Sequence, residues 1–199
     1  MSFVPEFELG LWNAWIFMLC EIFSLVLPYA LSGRLIDKDI LKKAAGTDIP
    51  LNETEKKILY IASILPFALI AYSIFLPLEL GTIWFLVGFL IYLLGAIIQT
   101  VGMQNFLTTE VDKPVTKGVY RFSRNPMYFG MFLILGGTGI ACVSWVFLLV
   151  AAVFIILTHI AITSEERFCL QMYGNAYQEY MNTIPRWIGI PKSKKSLNG

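Results

Sequence analysis

Charge is scarce in this sequence. Only 15% of the 199 residues are Asp, Glu, Lys or Arg, and 57% are hydrophobic, whereas a soluble domain of this size carries about 25% charge. The deficit excludes an ordinary soluble domain and points to an integral membrane protein. No block of like charge is long enough to act as a binding tail, and a net charge of +1 leaves no footprint for nucleic acid. Cysteine is sparse too: Cys20, Cys142 and Cys169 share no metal-ligand spacing. They read as small core residues, and no metal site is expected. A basic n-region is also missing, since MSFVPEFELG carries Glu6 and Glu8 instead. The first apolar run is therefore expected to remain in the membrane and not to be removed as a signal peptide.

What the chain does have is apolar length. Residues 9–31, 58–76, 83–101, 126–143 and 145–163 are each long enough, or nearly so, to cross roughly 30 Å of hydrocarbon at about 20 residues a span. Residues 126–163 form one uncharged stretch of 38 residues, too long for one span, so a tight helical hairpin turning near Ser144 is predicted. The fold class is all-α: a polytopic membrane bundle of about five spans, ending in that hairpin and a cytosolic helical tail. All 15 Lys and Arg residues fall in the loops 32–57 and 102–125 or in the tail. With five spans these regions share one side, which places the N-terminus outside and the C-terminus in the cytosol.

Smaller signals fill in the elements. Asn52 with Glu55 three residues on is a capping-box pattern, so the second helix is expected to begin in water. Gly88, Gly95 and Gly102 recur every seven residues along one helix face, and Gly136, Gly137 and Gly139 follow in the next span. Both sets suit close helix packing in lipid. Glu21 is an acid well inside a span; a functional role and a protonated carboxyl bonded to a neighbouring helix both fit it. His159, the only histidine, invites a catalytic role, but a hydrogen-bonded structural one is the preferred reading. The fifth helix runs past the membrane as THIAITSEERFCLQMY until Gly174, and a short helix NAYQEYMN follows, stopped by Pro185. Tyr173, Tyr177 and Tyr180 fall at helix spacing, as on a packing face.

The chain is organised around Lys117 to Gly130, KGVYRFSRNPMYFG. Asn125 suits an N-cap and Pro126 the first helical position, so a helix N-terminus with free N–H groups points at the loop holding Arg124. Such an end attracts anions. The hairpin brings this positive end to the Glu165-Glu166 extension. A ligand between them meets donors and positive charge on one side and carboxylates on the other. S-adenosylmethionine fits this pattern, and so does a nucleotide or a lipid headgroup.

The motifs in order are Gly118-Val119-Tyr120, then Arg124-Asn125-Pro126, Tyr128 and Gly130, then Glu165-Glu166, Tyr173-Gly174, Tyr177, Tyr180 and Pro185-Arg186. Together they resemble the integral membrane methyltransferases that include isoprenylcysteine carboxyl methyltransferase and the phospholipid N-methyltransferases. The resemblance covers residues 100–190. It implies a single membrane domain over 1–199, in which variable helices (1–100) precede a cofactor-binding core (101–190). It further implies that Val115, Gly118, Val119, Tyr120, Asn125, Pro126 and Tyr128 line an S-adenosylmethionine site completed by Glu165 and Glu166. Arg124 and Arg186 are implied contacts for the carboxylate of cofactor or substrate. Asn125 departs from the family's more frequent histidine, so that position is expected to orient the cofactor and not to act as a base.

The expected activity is methyl transfer from S-adenosylmethionine to a lipophilic acceptor that enters from the bilayer, of the isoprenylcysteine carboxylate or phospholipid amine type. A membrane reductase acting on a sterol or lipid with NADPH, and a non-enzymatic membrane bundle, are the alternatives. No basic cluster for a 2′-phosphate is evident, which counts against the reductase.

Overall fold

The computed structural model describes residues 9–33, 49–110 and 112–190. Glu6 and Glu8, the loop charges Arg34, Lys38, Lys42 and Lys43, and the tail charges Lys192, Lys194 and Lys195 lie outside them. The described residues form α1 (Trp15–Ser32), α2 (Glu53–Ser73), α3 (Ile83–Leu107), α4 (Pro126–Ala141), α5 (Trp145–Tyr173) and α6 (Asn175–Thr183). A 3₁₀ turn, Gly118–Arg121, lies between α3 and α4. Among these helices α1, α2, α3 and α5 are long and apolar enough to cross a membrane. The fifth apolar helix, α4, has 16 residues, about 24 Å of rise. Of the five expected spans, four are thus long enough to cross, and the fourth in order, α4, is a shorter apolar helix.

Local chemistry sets the helix starts. At α2 the Asn52 side chain accepts from the Glu55 N–H (2.8 Å) while the Glu55 carboxylate accepts from the Asn52 N–H (2.9 Å), the reciprocal box its sequence predicts. Thr82 caps α3 through Phe85 N–H (3.1 Å) and Ser144 caps α5 through Phe147 N–H (3.2 Å). The hairpin turn between α4 and α5 is therefore where the uncharged stretch predicts it. It is so short that Val143 is held at φ 50°, a left-handed conformation unfavourable for a β-branched residue.

Around the bundle α1 packs on α3, α3 on α4, α4 on α5, α5 on α2, and α2 back on α1. Phe17, Leu69, Tyr92, Ile134 and Phe147, one from each of the five, meet in the core. The α3–α4 seam is the most extensive contact, and glycines make it. A Cβ on Gly95 would lie 2.6 Å from the Gly130 carbonyl oxygen, and one on Gly137 would lie 2.6 Å from that of Gly88. Backbone therefore touches backbone along the seam. Gly139 instead faces Leu148 and Phe147 of α5, and Gly136 faces open space. The close α3–α4 approach fixes where α4 begins, and with it one wall of the site.

Candidate active site

At the end of the bundle where α4 begins, a cleft of about 630 Å³, its open mouth included, lies between the end of α3, the 3₁₀ turn, the first turn of α4, the last turns of α5, and α6. Phe106, Pro114 and Val115 form one side. Tyr120, Arg124, Asn125, Met127 and Tyr128 form the second. Glu165, Glu166 and Cys169 of α5, with Tyr173, Tyr177 and Tyr180, close the third.

Glu166 is the hub of this end. Its side chain is 4% exposed, and a buried carboxylate is tolerated only when it is paired and hydrogen-bonded. Arg186 Nε and Nη2 both donate to its Oε2, at 3.1 and 2.6 Å. Asn125 Nδ2 donates to its Oε1 at 3.0 Å. Arg124 Nε lies 3.5 Å from the same Oε1, close enough for an ion pair but without a hydrogen bond. That N–H is buried and unsatisfied at the edge of the cleft.

The Asn125 amide corrects one expectation. The residue occupies the N-cap position of α4, with Pro126 at the first helical position, but its side chain makes no cap hydrogen bond. It turns to Glu166 and to the Arg186 carbonyl (3.3 Å), because a charge-assisted bond to a buried carboxylate is stronger than a neutral cap. The Ser123 hydroxyl accepts from the Asn125 N–H (3.0 Å) and fixes the turn.

Glu165 points elsewhere, as a step of about 100° along a helix requires. Its Oε1 accepts from the Tyr128 hydroxyl at 2.5 Å. Tyr180, buried on α6, donates to the Tyr120 carbonyl at 2.7 Å and ties α6 to the 3₁₀ turn. Burial pushes the phenols of Tyr120, Tyr177 and Tyr180 up, so all three stay protonated. After Pro185 the chain pairs with the loop before α4: Arg124 N–H donates to the Pro185 carbonyl and Gly189 N–H to the Phe122 carbonyl, each at 3.0 Å.

Of the residues singled out in the sequence, Val115, Tyr120, Arg124, Asn125, Tyr128, Glu165 and Glu166 come together in the cleft. Gly118, Val119, Pro126 and Arg186 do not line it. Gly118 sits at φ 59°, and its missing Cβ leaves room for the Asn105 carboxamide. Pro126 starts α4, and Arg186 is held by Glu166. Tyr173, Tyr177 and Tyr180, read as a packing face, pack on one another and also line the cleft. Phe106, Pro114, Met127 and Cys169 were not anticipated there; nothing in their spacing marks them. His159 is exposed on α5 and takes no part in the cleft; beyond the bonds of the helix itself its carbonyl accepts from the Thr163 hydroxyl (2.8 Å), and its ring makes no hydrogen bond among the described residues, contrary to the expected structural role.

Comparison with known proteins places this geometry. Residues 76–176 match the phospholipid methyltransferase family. Over 143 residues the chain is 28% identical to protein-S-isoprenylcysteine O-methyltransferase of Dictyostelium discoideum, a match covering 61% of this chain and 55% of that protein. The chain thus spans about half the length of that curated relative.

Proposed function

Because the chain belongs to the phospholipid methyltransferase family, we propose that it is a membrane-embedded methyltransferase using S-adenosylmethionine and a lipophilic acceptor. The acceptor is of the isoprenylcysteine carboxylate or phospholipid amine type. The observation that carries the reading is one aromatic-walled cleft with a buried, unsatisfied Arg124 N–H and the Glu165 carboxylate on its lining. The cofactor's groups fit this donor set. Its carboxylate suits Arg124, and its ammonium and ribose hydroxyls suit Glu165. The tyrosine and Phe106 faces suit adenine and a positively charged sulfur. When bound, S-adenosylmethionine supplies a methyl group on a sulfonium, already an excellent leaving group.

This chain's residues then have three tasks: to bind, to orient and to exclude water. Val115, Tyr120, Arg124, Asn125, Tyr128, Glu165 and Glu166 line the proposed cofactor side, and Gly118, Val119 and Pro126 are proposed to shape it from behind. Glu166 acts there chiefly by holding Arg124, Asn125 and Arg186 in register. Arg186 is the proposed contact for substrate. The reaction would be a direct displacement, in which the bound cofactor would supply the methyl group and Arg124, Glu165 and the tyrosines would hold it toward the acceptor. The cofactor enters from the cytosol and the acceptor sideways from the lipid. Residues 101–190 form the cofactor core, with the N-terminus outside and the C-terminus in the cytosol. Neither the family nor the relative is a reductase or a non-catalytic bundle.

Titration of the lipid-embedded protein with S-adenosylmethionine tests the site. Glu166→Ala and Asn125→Ala are each expected to weaken binding at least tenfold, and unchanged affinity in both overturns the assignment. Tracking a labelled methyl group through a lipid extract identifies the acceptor.

A further inference from the structure

Beyond α6 the chain returns to the start of α4 and is tied to it by backbone. Arg124 N–H donates to the Pro185 carbonyl and Gly189 N–H to that of Phe122. The Arg186 carbonyl accepts from Asn125 Nδ2 and from the Ser123 hydroxyl, each at 3.3 Å. Residues 185–189 and 122–125 thus form one clip, and its carbonyls hold two residues of the cleft, Arg124 and Asn125. Ile184, just before the clip, is buried with Tyr177 and Tyr180 against Cys169. The seat of α6 and the wall of the cleft therefore both depend on where the clip lies.

The outer side of the clip is apolar. Phe122 is 57% exposed, Ile188 59% and Ile190 91%, and a cluster of this kind on an irregular segment marks an interaction surface. The Trp187 ring shows what covers it. Its centroid lies 5.4 Å from that of Phe132, six residues and about 9 Å beyond Pro126 along α4. Since α4 packs on α3 and α5, both long and apolar enough to cross a membrane, this contact is at hydrocarbon depth. Trp187 is also alone at this end. Trp12, Trp15, Trp84 and Trp145 stand at or just before the starts of α1, α3 and α5, at the opposite end of the bundle. Tryptophan favours the membrane–water interface, so four mark one interface and Trp187 marks the other.

We propose that the clip is a lipid-docking surface. Phe122, Trp187, Ile188 and Ile190 are immersed at the boundary of headgroups and acyl chains in the leaflet on the cleft side, and this immersion holds the cleft wall and α6 in place. The partner is the bilayer itself, because a soluble protein could not follow Trp187 down α4. The Pro185 and Arg186 carbonyls and the Gly189 N–H are bonded within the clip, which lowers the cost of leaving water. A consequence for cofactor affinity rests on the methyltransferase reading; the immersion and its hold on the cleft do not.

The test uses the full chain in phosphatidylcholine nanodiscs. The difference in emission between wild type and Trp187→Phe isolates Trp187. That component is expected to fall at least twofold with lipids brominated on the acyl chain and to be unaffected by aqueous iodide. Quenching by iodide and not by brominated lipid overturns the proposal, and quenching by neither assigns the surface to a protein contact and overturns it too. Labelling of Cys169 by a water-soluble maleimide, read by mass spectrometry of its peptide, then reports the cleft without any ligand. Ile188→Glu, which carries a carboxylate into the boundary, is expected to speed this labelling at least threefold, and Ile188→Leu to leave it at the wild-type rate. Unchanged labelling in Ile188→Glu overturns the hold on the cleft. The same variant is expected to lose at least tenfold in S-adenosylmethionine affinity. If quenching and labelling behave as expected but wild type binds no S-adenosylmethionine, the methyltransferase reading falls and the lipid-docked clip stands.

Discussion

Glu166 accepts three hydrogen bonds, two from Arg186 and one from the Asn125 amide, and forms an ion pair with Arg124, so its substitution has consequences beyond one lost contact. Glu166→Ala leaves two guanidinium groups facing a space that held their counter-charge, a loss of about 3–5 kcal/mol for a buried pair. The expected reading is a lower midpoint of thermal denaturation in detergent together with weakened cofactor binding. Arg186→Ala is expected to cost less, because Arg186 is 31% exposed and its charge is partly solvated. The ordering Glu166→Ala worse than Arg186→Ala, in both midpoint and cofactor affinity, checks the hub; the reverse order contradicts it. Tyr128→Phe isolates a single bond, because only the hydroxyl that serves Glu165 is removed. It is expected to cost about 1–3 kcal/mol, read as reduced S-adenosylmethionine affinity in a protein that still folds.

At the scale of the elements, the α3–α4 seam is the joint on which the site depends. Gly95→Leu forces a side chain against the Gly130 carbonyl, and overpacking of this kind costs about 1–3 kcal/mol. Gly136→Leu enters open space and is expected to leave the denaturation midpoint within error of wild type. Equal midpoints for the two variants would refute the seam. The regular spacing of Gly88, Gly95 and Gly102 made this face legible in the sequence, as Asn52 and Glu55 did the start of α2 and Ser144 the hairpin. Local rules act within a few residues, so they survive translation into three dimensions. The bonds that build the cleft are long-range: Asn125 to Glu166, Tyr180 to Tyr120, Arg124 to Pro185. The Asn125 amide was misjudged for that reason. Its local option as a cap is visible in the chain, but the carboxylate that outcompetes the cap is 41 residues away. Phe106 and Met127 escaped notice because an apolar residue in a membrane helix looks the same whether it faces lipid, a neighbour or a ligand.

For the whole molecule, orientation is the property that the cleft needs. The proposed cofactor, dissolved in the cytosol, would require the 3₁₀ turn, the start of α4 and α6 on that side, and the turn around Glu79 on the other. Lys113→Cys is expected to react with a membrane-impermeant maleimide from the cytosolic side, and Glu79→Cys from the opposite side; the reverse pattern would overturn the orientation. Because α4 rises about 24 Å, it falls about 6 Å short of the usual hydrocarbon thickness. Lipids around a short span thin to meet its ends. In the proposed orientation, thinning at the cytosolic end of α4 would bring water down to the start of that helix, beside the Arg124 cleft. For the proposed reaction, a water-soluble donor and an oil-soluble acceptor would then face each other at that boundary, and neither would have to leave the phase in which it dissolves.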